Sequence, residues 1–202
     1  MRGIIIAKPN KDGVPVIAIF STEDFNLYRL NSMLDTGEIS IDITYTNNQP
    51  ISILDEGEFE IEHDFPNVYK HQPENIYLKG NITYLRSWTL EDFINSYQKY
   101  FTKTTYVIHN HDRVIYPNQI DSVKSSLFLN FVDKFLFDPQ NNGYFSFSGL
   151  FYQRFKIAGL DRYRIFKEGP KLVVVSLSSN SYENKEMGIV PHYYKFIAEI
   201  LN

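Results

Sequence analysis

Cysteine is absent from this sequence of 202 residues. The fold therefore contains no disulfide and no thiolate metal site, which is compatible with a reducing compartment. Long apolar runs are absent as well. The run Ile4–Ala7 near the N-terminus is too short for a signal peptide, and no run approaches the roughly 20 residues that cross a bilayer. We therefore expect a soluble, cytoplasmic protein with no membrane span.

Basic clusters are also missing. No run of Lys and Arg exceeds two residues, and the formal net charge is −4. Proteins that grip nucleic-acid phosphates concentrate Lys and Arg on one face. We therefore expect no nucleic-acid partner.

Glycine is sparse, with 10 residues. The chain has no Gly-rich phosphate loop, no dinucleotide fingerprint and no G-x-S-x-G nucleophile motif. The sequence accordingly predicts no cofactor, and it leaves catalysis undecided, with a non-enzymatic role favoured.

Aromatic residues are abundant, with 15 Tyr and 16 Phe. Such rings fill a sizeable core, and some can face a partner surface.

The first half of the chain shows mixed periodicity. It predicts a hairpin over residues 3–20, a helix over 21–34, a strand over 38–46, two short strands around Asp55-Glu56-Gly57, an exposed loop over 66–75, a strand over 76–88 with a bulge at Gly80, and a helix capped by Thr89.

The second half repeats this order of elements. It predicts a hairpin over residues 105–117, a helix over 121–136, three strands within 144–179 and a terminal helix over 191–202. Because the two halves share this order of elements, the sequence predicts an α+β fold of antiparallel sheets with helices packed on them. The fold would consist of two tandem ββαβββα units at 1–102 and 103–202.

Two stretches carry a resemblance to a known group. A unit that opens with GIIIAKPNKDGVPVIAIF, and one that closes with YRIFKEGPKLVVVSLSS and the segment YYKFIAEIL, resembles the longin, roadblock and profilin-like superfamily. The resemblance implies a curved antiparallel sheet against helices. It also implies a docking platform for small GTPases or vesicle-trafficking complexes, and it carries no partner-contact residue over to this chain.

The segment His109-Asn110-His111-Asp112 contains the candidate metal ligands. His109 and His111 would point to the same side of an extended strand, Asp112 could add an oxygen, and His63, Asp64 or His71 could complete the set. This arrangement would suit a metal-dependent hydrolase. The simpler interpretation is a hairpin turn, because Asn, His and Asp between two β-branched runs are typical of turns.

The most acidic segment of the sequence contains a second candidate site. Glu58, Glu60 and Glu62 alternate with Phe59 and Ile61, so the three carboxylates would share one strand face, and Asp64 follows them. This face could bind a basic protein surface, or it could be the solvated face of an amphipathic strand.

Three functional hypotheses follow from these patterns. The favoured one is a non-enzymatic adaptor or regulatory scaffold that binds a protein partner, with a homodimer left open. The alternatives are the metal-dependent hydrolase, and an immunity or anti-defence protein that blocks a partner enzyme through its acidic surface.

Overall fold

β-Strands dominate the protein. The computed structural model describes residues 1–8, 10–11, 14–15, 17–33, 39, 44–62, 64–67, 69–104, 106–138, 142–146, 153–158 and 169–201. The strands are β1 (Arg2–Ala7), β2 (Asn10–Lys11), β3 (Val14–Pro15), β4 (Ile17–Ser21), β5 (Leu27–Ser32), β6 (Asp55–Glu62), β7 (Asn75–Ser87), β8 (Val114–Ile115), β9 (Leu127–Asp138), β10 (Asn142–Ser146), β11 (Gln153–Ile157), β12 (Gly169–Leu177), β13 (Tyr182–Asn184) and β14 (Ile189–Leu201). Within the described residues the helical elements are α1 (Leu90–Tyr97) and two 3₁₀ segments, Gln98–Tyr100 and Pro117–Ser122.

The described chain divides into two compact units. Unit 1 comprises Met1–Asn67, Glu74–Phe101 and Leu201, and unit 2 comprises Val68–Pro73 and Thr102–Ile200.

Unit 1 is a closed five-stranded barrel. Its strand order is β1-β4-β5-β7-β6 and back to β1. The pairing of β5 with β7 is parallel, and the other pairings are antiparallel. The β-branched and aromatic residues of these strands suit a pleated, buried surface. The barrel core consists of Ile5, Ile17, Ile19, Leu30, Ile39, Tyr45, Ile51, Phe59 and Ile82.

Helix α1 follows the last strand of this barrel. Thr89 is its N-cap and accepts a hydrogen bond from the backbone N–H of Asp92, which confirms the predicted cap. The helix buries Phe93, whose ring meets Phe20 of β4 edge-on at 5.6 Å between centroids.

Unit 2 is a seven-stranded sheet. The path β11-β10-β9-β12-β14 continues to β13, and β8 pairs with β14. A parallel pairing of β11 with β14 joins the two ends of the five-strand part of that path. The core consists of Val107, Ile108, Ile115, Val123, Val132, Phe135, Phe155, Val173, Val175, Leu177, Ile197 and Ile200.

Both units therefore contain the same circuit of strand pairings. In each circuit the strands follow the order first, second, third, fifth, fourth, and the third strand pairs in parallel with the fifth. In unit 1 these are β1, β4, β5, β7 and β6, and in unit 2 they are β9, β10, β11, β14 and β12.

The predicted α+β fold is wrong, and with it the resemblance to the longin, roadblock and profilin-like group. That group needs helices packed on its sheets. The described residues of the two segments predicted as such helices, 121–136 and 191–202, lie instead mostly in strands β9 and β14 and in the 3₁₀ segment Pro117–Ser122. The tandem ββαβββα description fails for the same reason.

The strands that replace the two false helices each contain an irregularity. On β9 the ladder with β12 skips a residue between Val132 and Phe135, so these two buried residues lie three positions apart, a spacing that is also found on a helix. On β14 a register shift spans Ile189 to His192, and Pro191 lies within it, where a missing N–H is tolerated.

The predicted helix over 21–34 is a third error. Ser21 Oγ does accept from the backbone N–H groups of Glu23 and Asp24, at 3.3 and 3.4 Å, but these bonds close a turn. The chain then continues as strand β5, where Leu30 enters the barrel core.

Two further sequence predictions about strands are corrected. The two short strands around Asp55 are one strand, β6. The hairpin predicted over 105–117 is not seen in its described part, residues 106–117, where β8 pairs instead with Tyr193 and Tyr194 of β14.

Of the remaining predictions, one is corrected, two are confirmed and one falls mostly outside the described residues. The loop over 66–75 buries Gln72 and Glu74, so it is not simply exposed. The first hairpin is confirmed by the pairing of β1 with β4, and the bulge at Gly80 by the skip between Leu78 and Ile82 opposite β6. Most of the strand predicted over 38–46 lies outside the described residues. Among the described residues no helix is long and apolar enough to cross a membrane.

Candidate acidic binding site

One outer face of the unit 1 barrel is covered by aromatic rings. Every residue of β4 is buried, and Ile17 and Ile19 belong to the barrel core. Phe20 contacts a cluster of rings at centroid distances of 5.0 to 6.4 Å. That cluster consists of Phe25, Phe93, Tyr97, Tyr100 and Phe101. This face is therefore occupied by the protein's own side chains.

The face formed by β6 and β7 is open. Strand alternation exposes Glu58 and Glu60 and turns Phe59 into the core. Glu58 lies directly opposite Thr83 of β7. A cavity of about 420 Å³ opens here, and it is lined by Met1, Glu23, Thr46, Glu58, Phe59, Glu60, Asn81 and Thr83.

The carboxylates of this cavity are held in place by short contacts. Arg2 Nη2 donates to Glu58 Oε1 at 3.0 Å, and the Arg2 backbone N–H donates to Glu23 Oε1 at 3.0 Å. Glu60 Oε2 accepts from the backbone N–H of Asn81 at 3.2 Å. Gly80 permits that approach, because a Cβ at this position would lie 1.8 Å from Glu60 Oε2.

The electrostatics of the cavity favour a cation. Its described lining brings three carboxylates together, those of Glu23, Glu58 and Glu60. The hydrogen bond to Glu58 raises the pKa of the Arg2 guanidinium; desolvation opposes this shift, and the charges of Glu58, Glu56 and Glu23 add to it. The field of the site therefore already stabilises one guanidinium at its rim.

The four acidic residues predicted from the sequence have different surroundings. Glu58 and Glu60 line the cavity. Glu62 forms an ion pair with Lys79 at 3.3 Å, and the exposed Asp64 follows the end of β6. Sequence reasoning missed Glu23, because the segment around it was read as a helix and its only signal was the charge itself.

A second acidic pair lies buried at the start of β6. Asp55 accepts from Tyr45 Oη at 3.1 Å, Ser87 Oγ at 2.6 Å and the Ser52 backbone N–H at 3.0 Å. The adjacent Glu56 accepts from Arg86 Nε at 2.7 Å and Trp88 Nε1 at 3.0 Å. Both carboxylates are satisfied inside the fold, so they fix the start of the strand that carries the cavity.

The segment His109-Asn110-His111-Asp112 lies in a tight turn of unit 2. Val107 and Asn110 form an isolated antiparallel bridge, and Ile108 and His109 between them have φ values of 50° and 75°. Both ring nitrogens of His109 lie 3.4 Å from Ser122 Oγ, whereas His111 meets the ring of Tyr106 edge-on. Asp112 uses its backbone N–H to donate to Asn110 Oδ1.

No metal site is assembled from the predicted ligands that can be located. In the part of the chain that the structure describes, no three His, Cys, Asp or Glu side chains are grouped to hold a metal ion. His63, one of the residues proposed to complete the set, lies outside the described residues. The hydrolase therefore stays a prediction from the sequence.

Comparison of the chain with protein-family models, curated proteins and solved structures finds no match. The aromatic cluster covers the outer face of β4, so the open face of β6 and β7 is the better candidate for binding.

Proposed function

We propose that the protein is a non-catalytic binding module that receives a basic side chain of a protein partner in the acidic cavity of unit 1. The observation that carries the proposal is the convergence of Glu23, Glu58 and Glu60 on one open cavity. A guanidinium or ammonium group matches this lining, because carboxylates accept charge-assisted hydrogen bonds from such groups.

The neighbouring side chains support an arginine as the ligand. Arg2 shows that a planar guanidinium can reach Glu58 from the rim, with its side chain about half exposed. Thr46, Asn81 and Thr83 line the rest of the cavity and offer hydroxyl and amide groups to the remaining donors of a guanidinium.

The other binding hypotheses differ in how well they agree with this proposal. An immunity or anti-defence role agrees with it, because that role also requires an acidic site that binds a basic partner surface. The small-GTPase and trafficking role depended on the longin and roadblock resemblance, which the fold contradicts, so it is not proposed again.

The proposal is tested with a defined cationic probe. N-acetyl-arginine amide and the peptide Gly-Arg-Gly-Arg-Gly are titrated into ¹⁵N-labelled protein, and the backbone amide shifts are followed. We expect saturable shifts at Glu58, Glu60, Asn81 and Thr83. The double variant E58Q/E60Q should weaken binding by about tenfold or more, because a hydrogen bond to a charged group contributes about 1.5–3 kcal/mol.

Two matched variants separate a specific site from general attraction. E183Q/E186Q makes the same change in charge on exposed residues of unit 2 and should leave binding unchanged. R2Q removes the cation that occupies Glu58 and should tighten binding of the probe. Equal losses in both double variants, or shifts scattered over the whole surface, would overturn the proposed function.

A further inference from the structure

A buried lysine holds the turn that carries His109. Lys195 lies on β14 and is only 2% exposed. Its Nζ donates to the carbonyl oxygens of Val107 and Asn110, at 2.5 and 2.8 Å, and to Asn110 Oδ1 at 2.6 Å. The three N–H groups of an ammonium are therefore matched by three oxygens.

The turn held in this way has a conformation that its sequence does not favour. Ile108 and His109 both have positive φ, and left-handed backbone is unfavourable for a β-branched residue such as isoleucine. Such outliers persist where the surrounding structure enforces them. Here Ile108 is buried in the core of unit 2, and Lys195 fastens the carbonyl groups on both sides of the two left-handed residues.

Asn110 links the lysine to the rest of the segment. Its Oδ1 accepts from Lys195 and from the backbone N–H of Asp112, and its Nδ2 donates to the Val114 carbonyl at 3.3 Å. A change in the hydrogen bonds of Lys195 would therefore be transmitted to the His109–Asp112 segment by the Asn110 side chain.

We propose that Lys195 makes the Val107–Asn110 turn a proton-controlled conformational switch: the ammonium holds the turn closed, and loss of one proton to solvent releases it. A neutral amine has two N–H groups for three oxygens, so one carbonyl or amide oxygen loses its donor. The released turn changes how His109 and His111 are presented at the surface.

The environment of the amine places this transition near neutral pH. Burial lowers the pKa of Lys195 to about 7, and the negative charge of Asp112 opposes this shift. Other titratable groups lie on the segments that contact Lys195: His109 and His111 flank Asn110, Arg113 accepts a backbone hydrogen bond from Lys195, and His192, Tyr193 and Tyr194 precede it on β14. The segment of β8 that pairs with β14 contributes only Val114 and Ile115.

The test follows the turn and the lysine in the same protein. Backbone amide shifts of Ile108, His109 and Asn110 and the ¹³Cε shift of Lys195 are recorded between pH 5.5 and 11 in the wild type and in H109Q/H111Q. The histidine variant matters because free histidine titrates near pH 6.5, close to the expected transition. We expect one shared midpoint near pH 7 at the amides and at Lys195 in both proteins.

A charge-fixed variant supplies the control. Arginine keeps its proton throughout this range, so K195R should abolish the transition at the turn. The proposal is overturned if the Lys195 ¹³Cε resonance titrates at the ordinary lysine value of about 10.4. It is also overturned if the amide transition disappears in H109Q/H111Q, which would assign it to the histidines. Should K195R fail to fold, the ¹³Cε titration in H109Q/H111Q decides alone.

Discussion

Tyr45 and Asp55 are joined by a hydrogen bond inside the barrel of unit 1, with Tyr45 Oη 3.1 Å from Asp55 Oδ2. Both residues are buried. Burial raises the pKa of Tyr45, and the charge of Asp55 and this hydrogen bond raise it further, so the phenol keeps its proton and serves as a donor.

We expect Y45F to lower the free energy of unfolding by about 1–3 kcal/mol, because a buried carboxylate loses one of its donors. Denaturant titration at pH 7 measures the change. Y84F is the matched control: Tyr84 Oη contacts Ser87 Oγ at 3.1 Å at the exposed end of the same network. Its effect should stay within about 0.5 kcal/mol. Equal effects of the two variants would show that the Tyr45–Asp55 bond contributes no more than the exposed contact.

Asp24 should make stability depend on acid. Partial burial raises the pKa of this carboxyl, but hydrogen bonds from Tyr28, Ser21 and Asn26 outweigh burial and lower the pKa from 3.8 to about 2. The unfolded chain therefore binds a proton first as the pH falls, and the stabilisation, complete above about pH 4, is lost progressively toward pH 2. Unfolding of the wild type and D24N should differ above pH 4 and converge near pH 2. A constant difference over this range would contradict the assignment.

Gly80 and Gly143 should respond differently to alanine. A Cβ at Gly80 would meet the carboxylate at the end of the exposed Glu60 side chain, whereas a Cβ at Gly143 would lie 2.5 Å from Ile197 Cδ1 and 2.8 Å from Phe135 Cζ in the core of unit 2. We expect G143A to destabilise the protein by about 1–3 kcal/mol through overpacking. G80A should cost much less in stability and should instead weaken binding of the arginine probe, because Glu60 must leave its place over Asn81. Thermal unfolding and the probe titration report the two effects, and a stability loss in G80A as large as that in G143A would refute the distinction.

The N-cap of α1 offers a local measure of helix stability. Thr89 Oγ1 accepts from the Asp92 backbone N–H at 3.1 Å and donates to Asp92 Oδ2 at 2.7 Å. We expect T89A to lower the free energy of unfolding by about 1 kcal/mol. T89S keeps the hydroxyl and should retain most of the wild-type stability in the same denaturant titration. If T89S loses as much as T89A, the methyl group and not the cap is responsible.

Local signals in the sequence were sufficient for the first hairpin and for α1. The β-branched runs that become β1 and β4 flank turn residues, and Thr89 with Asp92 forms a cap directly before an amphipathic stretch. In these cases the pattern and the tertiary pairing agree, so a single sequence predicts them.

The helix predicted over 121–136 is wrong in part because a bulge on β9 changes the period of burial. Val132 and Phe135 of β9 are three positions apart and both buried, which only the pairing with β12 explains. Pairing partners lie far along the chain, and no local pattern reveals them. The acidic site could be predicted only in part for the same reason. Strand alternation predicts that Glu58 and Glu60 share one face, whereas Glu23 comes close to them only because the barrel closes.

The shared circuit of strand pairings also sets the order in which each unit can be completed. In unit 1 the third strand, β5, pairs with β7, which follows it at a distance along the chain. Arg29 can therefore pair with Asn75 only after the chain between them has folded. In unit 2 Lys156 of β11 pairs with Phe196 of β14, the last strand of all. Loop-closure entropy opposes such distant pairings before any contact rewards them. Ring closure should therefore be the slow event of refolding, and until it occurs β5 and β11 each keep one edge free for association with other chains.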